Sequence, residues 1–148
     1  MKKTWILVAD SSRARFFSAT SAKSTFNEVT DLANAEGRLH EREITTDLPG
    51  KGAGKDAGSK HSYENEVSPK QQEIQAFARE IARYLEDAQA ANKFDQLILV
   101  AAPTFLGLLR KQLSDQVLKK IFFELDKNLA NHDVDAIRKH LPEFFPSL

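Results

Sequence analysis

Cysteine is absent from this 148-residue chain. That removes disulfides, thiolate nucleophiles and thiolate metal ligands together, and it agrees with a reducing compartment. Net charge is absent too, since Lys and Arg number 21 and Asp and Glu also number 21. Bulk charge therefore points to neither a nucleic acid nor an anionic membrane, and any such partner must be met by a local patch. No apolar run approaches the roughly 18 residues of a membrane span. The opening MKKTWILVAD imitates an export signal only briefly, because its apolar stretch ends at Ala9 before Asp10, whereas a signal core takes about 7–15 residues. The expectation is a cytoplasmic protein without membrane contact. Glycine is scarce, six in all, yet Gly50, Gly52, Gly54 and Gly58 crowd into one short stretch.

The remaining composition is that of an ordinary globular domain, and the length suits one domain over 1–148 with a sizeable core. Trp5 to Ala9 is a short continuous apolar run, as in a strand covered on both faces. Residues 14–20, centred on Phe16-Phe17, and 25–32 predict two more strands in a meander after the turn residues Asp10-Ser11-Ser12. Residues 33–46 carry no decisive pattern. Ser68 as N-cap and Pro69 as first helical residue open a long helix over 69–91, in which Ile74, Phe77, Ala78, Ile81, Ala82, Leu85 and Ala88 recur at three- and four-residue spacing. The run QLILVAA at 96–102 predicts a buried parallel strand, and Pro103-Thr104 starts a helix over 104–113. A last strand at 120–125 and a helix at 133–140 complete the order βββαβαβα. A meander followed by alternating helices and strands is the order of a ribonuclease-H-like α/β fold, with a mixed five-stranded sheet and helices on its faces.

The segment DLPGKGAGKDAGSKHSYENE, residues 47–66, predicts a flexible loop, because glycine's backbone freedom opposes a regular element. Lys51, Lys55, Lys60 and His61 add positive or titratable charge, and Gly52 and Gly54 would let backbone N–H groups close on an anion ahead of a helix. A Walker phosphate loop is excluded: the outer glycines are one residue too close, Asp56 stands where Ser or Thr is required, and no buried strand precedes the loop. No cofactor motif is present. Arg13 and Arg15 follow the first strand and could join the lysines on one face, against a plainer reading as solvated charges. Asp10 ends the first strand, where a ribonuclease-H-like nuclease places a metal carboxylate, but Asp126 is its one obvious companion and two-metal catalysis needs several. A turn or capping role is the favoured reading of Asp10. Ala102-Pro103-Thr104, Asp10-Ser11 and Asp126-Lys127 all fall at carboxyl ends of predicted parallel strands, where open α/β sheets bind ligands.

WILVADSSRARFF, DLPGKG, FAREIARYL, LILVAAPTFLGLLRKQL and FELDKNL, in that order over nearly the whole chain, resemble the bacterial host-attachment protein family. That family is similar, distantly, to the middle domain of archaeal and eukaryotic peptide-chain release factors, which has a ribonuclease-H-like core and a Gly-Gly-Gln loop just before a long helix. The resemblance implies RNA or the ribosome as partner and a role in attachment to host cells, and without an export signal that role is expected to be indirect. This chain has no Gly-Gly-Gln, and Gln71 and Gln72 fall within the predicted helix, so hydrolysis of peptidyl-tRNA by that motif is not implied. A non-enzymatic binding protein acting through its basic loop is the leading reading. A metal-dependent nuclease or other hydrolase and a surface adhesin are the rivals.

Overall fold

The computed structural model describes residues 2–34 and 69–146. Five strands and four helices follow one another as β1 (Thr4–Ala9), β2 (Arg13–Ala19), β3 (Asn27–Ala33), α1 (Pro69–Ala90), β4 (Gln96–Ala101), α2 (Pro103–Gln112), α3 (Asp115–Lys120), β5 (Ile121–Leu125) and α4 (Val134–Lys139). The strands form one mixed sheet in the order β3-β2-β1-β4-β5. β1 lies at its centre, antiparallel to β2 and parallel to β4, with Leu7 opposite Phe16 on one side and Leu99 on the other. β3 pairs antiparallel with β2, and β5 parallel with β4.

The continuous apolar runs of β1 and β4 are explained by cover on both faces, with every residue of both strands buried. Successive side chains alternate between two cores. Trp5, Leu7, Leu97 and Leu99 pack under α1, α2 and α3 through Phe77, Ile81, Leu85, Leu109 and Val117. Ile6, Val8, Ile98 and Val100 face the other way, against Leu129, Ile137 and Leu141. At the first core's centre the Trp5 ring lies 5.2 Å from Phe94 and 6.0 Å from Tyr84, a cluster that locks α1 to the sheet.

Helix α1 begins at Pro69, as its sequence requires, while the expected cap Ser68 lies outside the described residues, as does nearly all of the undecided stretch 33–46. One helix was not expected. Residues 115–120 form α3 because Ser114 caps it, its Oγ accepting the Val117 N–H at 3.2 Å, with Asp115 in the first turn and Lys119 and Lys120 in the last. The observed order is therefore βββαβααβα, and the short helix turns the chain back into β5. The Ser114 hydroxyl also donates to Glu86 of α1. Ser114→Ala is expected to cost about 1–2 kcal/mol in urea unfolding, the usual loss for a cap. A change within error would mean that packing of Val117 alone holds α3. Among the described residues, no helix is long and apolar enough to cross a membrane.

Candidate functional site

From β1 the chain leaves towards β2, and from β4 it leaves the opposite way towards β5. Neighbouring parallel strands that part like this leave a crevice beyond their carboxyl ends. Here that crevice is a cavity of about 540 Å³. Its floor is the β1–β2 turn, Asp10 to Ser12, and its sides come from Gln71 and Gln75 of α1 and Thr104 of α2. Ile74, Phe105 and Leu108 give it an apolar strip, and Asn128, beyond β5, closes one edge.

The turn that forms the floor is built around one carboxylate oxygen. Asp10 is 8% exposed, and its Oδ1 accepts the N–H groups of Ser12 and Arg13, each at 2.9 Å, and the Ser12 hydroxyl at 3.0 Å. Its own N–H donates to the Arg13 carbonyl at 2.9 Å, which closes the hairpin. This is the turn role expected of an Asp after a strand. Oδ2 accepts no hydrogen bond among the described residues. Across the cavity the Ncap of α2, Ala102, has no side-chain acceptor, and Pro103 supplies no N–H. The free donors of the first turn are therefore the N–H groups of Thr104 and Phe105.

The described residues on either side of 35–68 both lie beside this rim. Asn34, the last described residue before it, donates its backbone N–H to the Ser12 carbonyl at 2.9 Å and its side-chain amide to the Ser11 carbonyl at 3.1 Å. Pro69, the first described residue after it, opens the helix whose first two turns carry Gln71 and Gln75 to the cavity. Asn34 and Pro69 also border a common groove beside it.

Of the residues singled out from the sequence, Lys51, Gly52, Gly54, Lys55, Lys60 and His61 lie outside the described residues. Arg13 and Arg15 are described, and both guanidinium groups are engaged within the fold. Arg13 pairs with Asp31 of β3 at 3.0 Å. Arg15 donates to the carbonyls of His132 and Ala130 at 2.6 and 3.2 Å, faces Glu28 at 3.8 Å, and lies over the Phe17 ring. Neither lines the cavity. Asp126 is exposed and does not line it either; Asn128 does. Among the described residues no three His, Asp or Glu side chains come together as a metal site would need, so Asp10 has no companions there for two-metal chemistry. Gln75, Leu108 and Asn128 were missed. The four-residue spacing of Gln71 and Gln75 places them on one helix face and is a usable signal, whereas nothing local marks Asn128.

Residues 5–141 match the model of a family described as protein required for attachment to host cells. The chain belongs to this family. The match runs from β1 to just beyond α4, so the host-attachment family's region contains the cavity and the residues on either side of 35–68. Over 79 residues the chain is also 34% identical to an uncharacterized protein of Rickettsia prowazekii, covering 52% of this chain and 53% of that one. The chain thus spans about half the length of the curated relative it matches.

Proposed function

We propose that this host-attachment family protein is a non-enzymatic binding protein that engages RNA, free or on the ribosome, through its basic glycine-rich loop, and that its role in attachment to host cells is indirect. The observation that carries the reading is that the residues on either side of 35–68, Asn34 and the start of α1, both lie beside the cavity. The residues flanking the stretch that carries Lys51, Lys55 and Lys60 thus lie at the end of the sheet where open α/β folds take their ligands. Two further features support the likeness to the release-factor middle domain. The strand order β3-β2-β1-β4-β5, with β1 parallel to β4 and antiparallel to β2, is the one expected if the sheet is ribonuclease-H-like. In sequence, residues 47–66 also come just before the long helix, where that domain carries its Gly-Gly-Gln.

Lysines that contact phosphates release condensed counterions, so affinity should fall steeply with salt. In fluorescence anisotropy with labelled tRNA and labelled single-stranded RNA, changing Lys51, Lys55 and Lys60 together to alanine should weaken binding by about tenfold or more and flatten the salt dependence. Its unfolding midpoint should stay near that of the wild type, since solvated lysines contribute little to stability. Changing Gly52 and Gly54 to alanine keeps every charge but restricts the backbone, and a loss of affinity there would show a shaped cradle rather than charge alone. If the wild type binds neither RNA at low salt, the RNA reading fails and a protein partner takes its place.

A further inference from the structure

The described lining of the cavity at the carboxyl ends of β1 and β4 has the wrong chemistry for a phosphate. Among the described residues that line it there is no Lys, Arg or His, and the one charged group is the Asp10 carboxylate. By contrast, Lys2, Lys119 and Lys120 border a separate hollow at the amino ends of β1 and β5. The N–H donors at the start of α2 suit a carbonyl oxygen as well as an anion, and the carboxylate sharing the cavity disfavours the anion.

Several polar groups at the cavity are uncommitted. Beside Asp10 Oδ2, the Gln75 amide and the Thr104 hydroxyl make no hydrogen bond among the described residues, and Asn128 uses only its Oδ1, which accepts the Ala130 N–H at 3.2 Å. Next to them runs the strip of Ile74, Phe105 and Leu108, with Phe105 buried and the other two half-buried. A hydrocarbon ligand would strand the nine-tenths-buried carboxylate, and a wholly polar one would leave the strip wet. A flat, neutral group with apolar faces, an edge of mixed donors and acceptors, and hydroxyls to give to a carboxylate satisfies both. The volume of about 540 Å³ lies within the roughly 300–1,000 Å³ of small-ligand sites.

We propose that this cavity binds a ribonucleoside, its base against Ile74 and Leu108 with its edge read by Gln75 and Asn128, and its ribose hydroxyls donating to Asp10 Oδ2. The choice of a base over other flat neutral groups rests on the proposed contact with RNA, whose sequence-specific recognition is largely of unstacked bases. A free nucleoside and an unstacked nucleotide of single-stranded RNA share the base edge and the 2′-hydroxyl, whereas the 5′ and 3′ oxygens of RNA are phosphodiesters that must stay outside the cavity.

Calorimetric titration of the full chain with adenosine, guanosine, cytidine and uridine should show saturable binding of at least one of them, in the millimolar range or tighter. The corresponding 5′-monophosphate and inorganic phosphate should bind more weakly. Leu108→Trp, which fills the cavity from a half-buried helix position, and Gln75→Ala, which removes an amide without adding bulk, should each weaken the nucleoside by about tenfold with the unfolding midpoint retained. Asp10→Asn should erase the preference for a ribonucleoside over its 2′-deoxy form. Displacement of the nucleoside by a short oligoribonucleotide of the same base assigns the site to RNA; nucleoside binding without displacement assigns it to free nucleosides. The proposal is overturned if no ribonucleoside saturates, if phosphate or the monophosphate binds more tightly, or if both cavity variants bind as the wild type does. RNA binding without nucleoside binding overturns the cavity assignment and leaves the loop reading standing; nucleoside binding without RNA binding does the reverse.

Discussion

Phe77→Ala should lower the free energy of unfolding by about 3–5 kcal/mol, the range for deleting a buried aromatic ring. Phe77 lies in the middle of α1, is 3% exposed, and packs with its ring centroid 6.1 Å from that of Phe105. Truncation removes the transfer energy of the ring and leaves a void that α1 and α2 cannot close, because both are held against a sheet buried throughout its central strands. The loss should extend to function. Phe105 carries part of the apolar strip of the cavity, so a void behind it should also weaken whatever binds there. Urea unfolding measures the stability change, and an unchanged dependence on denaturant would show that the native and unfolded states keep their compactness. A loss below about 1 kcal/mol would mean that Phe77 does not occupy the buried face of α1.

Asp10→Ala should cost about 2 kcal/mol, because one charged oxygen accepts two backbone N–H groups and a hydroxyl in a nearly buried turn. The turn also fixes the Ser11 and Ser12 carbonyls to which Asn34 is bonded, so the anchor of β3 should loosen with it. Asp10→Asn keeps an acceptor at the Oδ1 position and should cost distinctly less. The pair of variants separates the turn from metal chemistry. Titration of wild type and Asp10→Asn with Mg²⁺ or Mn²⁺ should give the same result if the carboxylate serves the turn. A tight divalent-cation site that vanishes in the asparagine variant would restore the nuclease reading.

What the sequence determined by itself was the set of elements and their buried faces. The continuous run Trp5 to Ala9 could only be a strand covered on both sides, and it is the centre of the sheet. Ile74 to Ala88 repeats at helical spacing, and the six residues buried in α1 all belong to that repeat. The sequence also pointed to the carboxyl ends of β1 and β4, through the strand-ending turns Asp10-Ser11 and Ala102-Pro103-Thr104, and a cavity lies there. The α3 helix is the exception, because an element of six residues carries too little periodicity to be read.

Only the tertiary structure decided which distant residues meet. Arg15 reads as a surface cation, yet its guanidinium is spent on carbonyls at 130 and 132, more than a hundred positions away. Asn34 stands in a stretch without pattern, yet it ties the end of β3 to the β1–β2 turn. Asn128, not Asp126, reaches the cavity, because the chain turns after β5 before it meets the neighbouring strand ends. Periodicity, capping and turn chemistry act over a few residues and so are written locally, whereas a cavity's charge and lining depend on strand order and register, which no local stretch encodes.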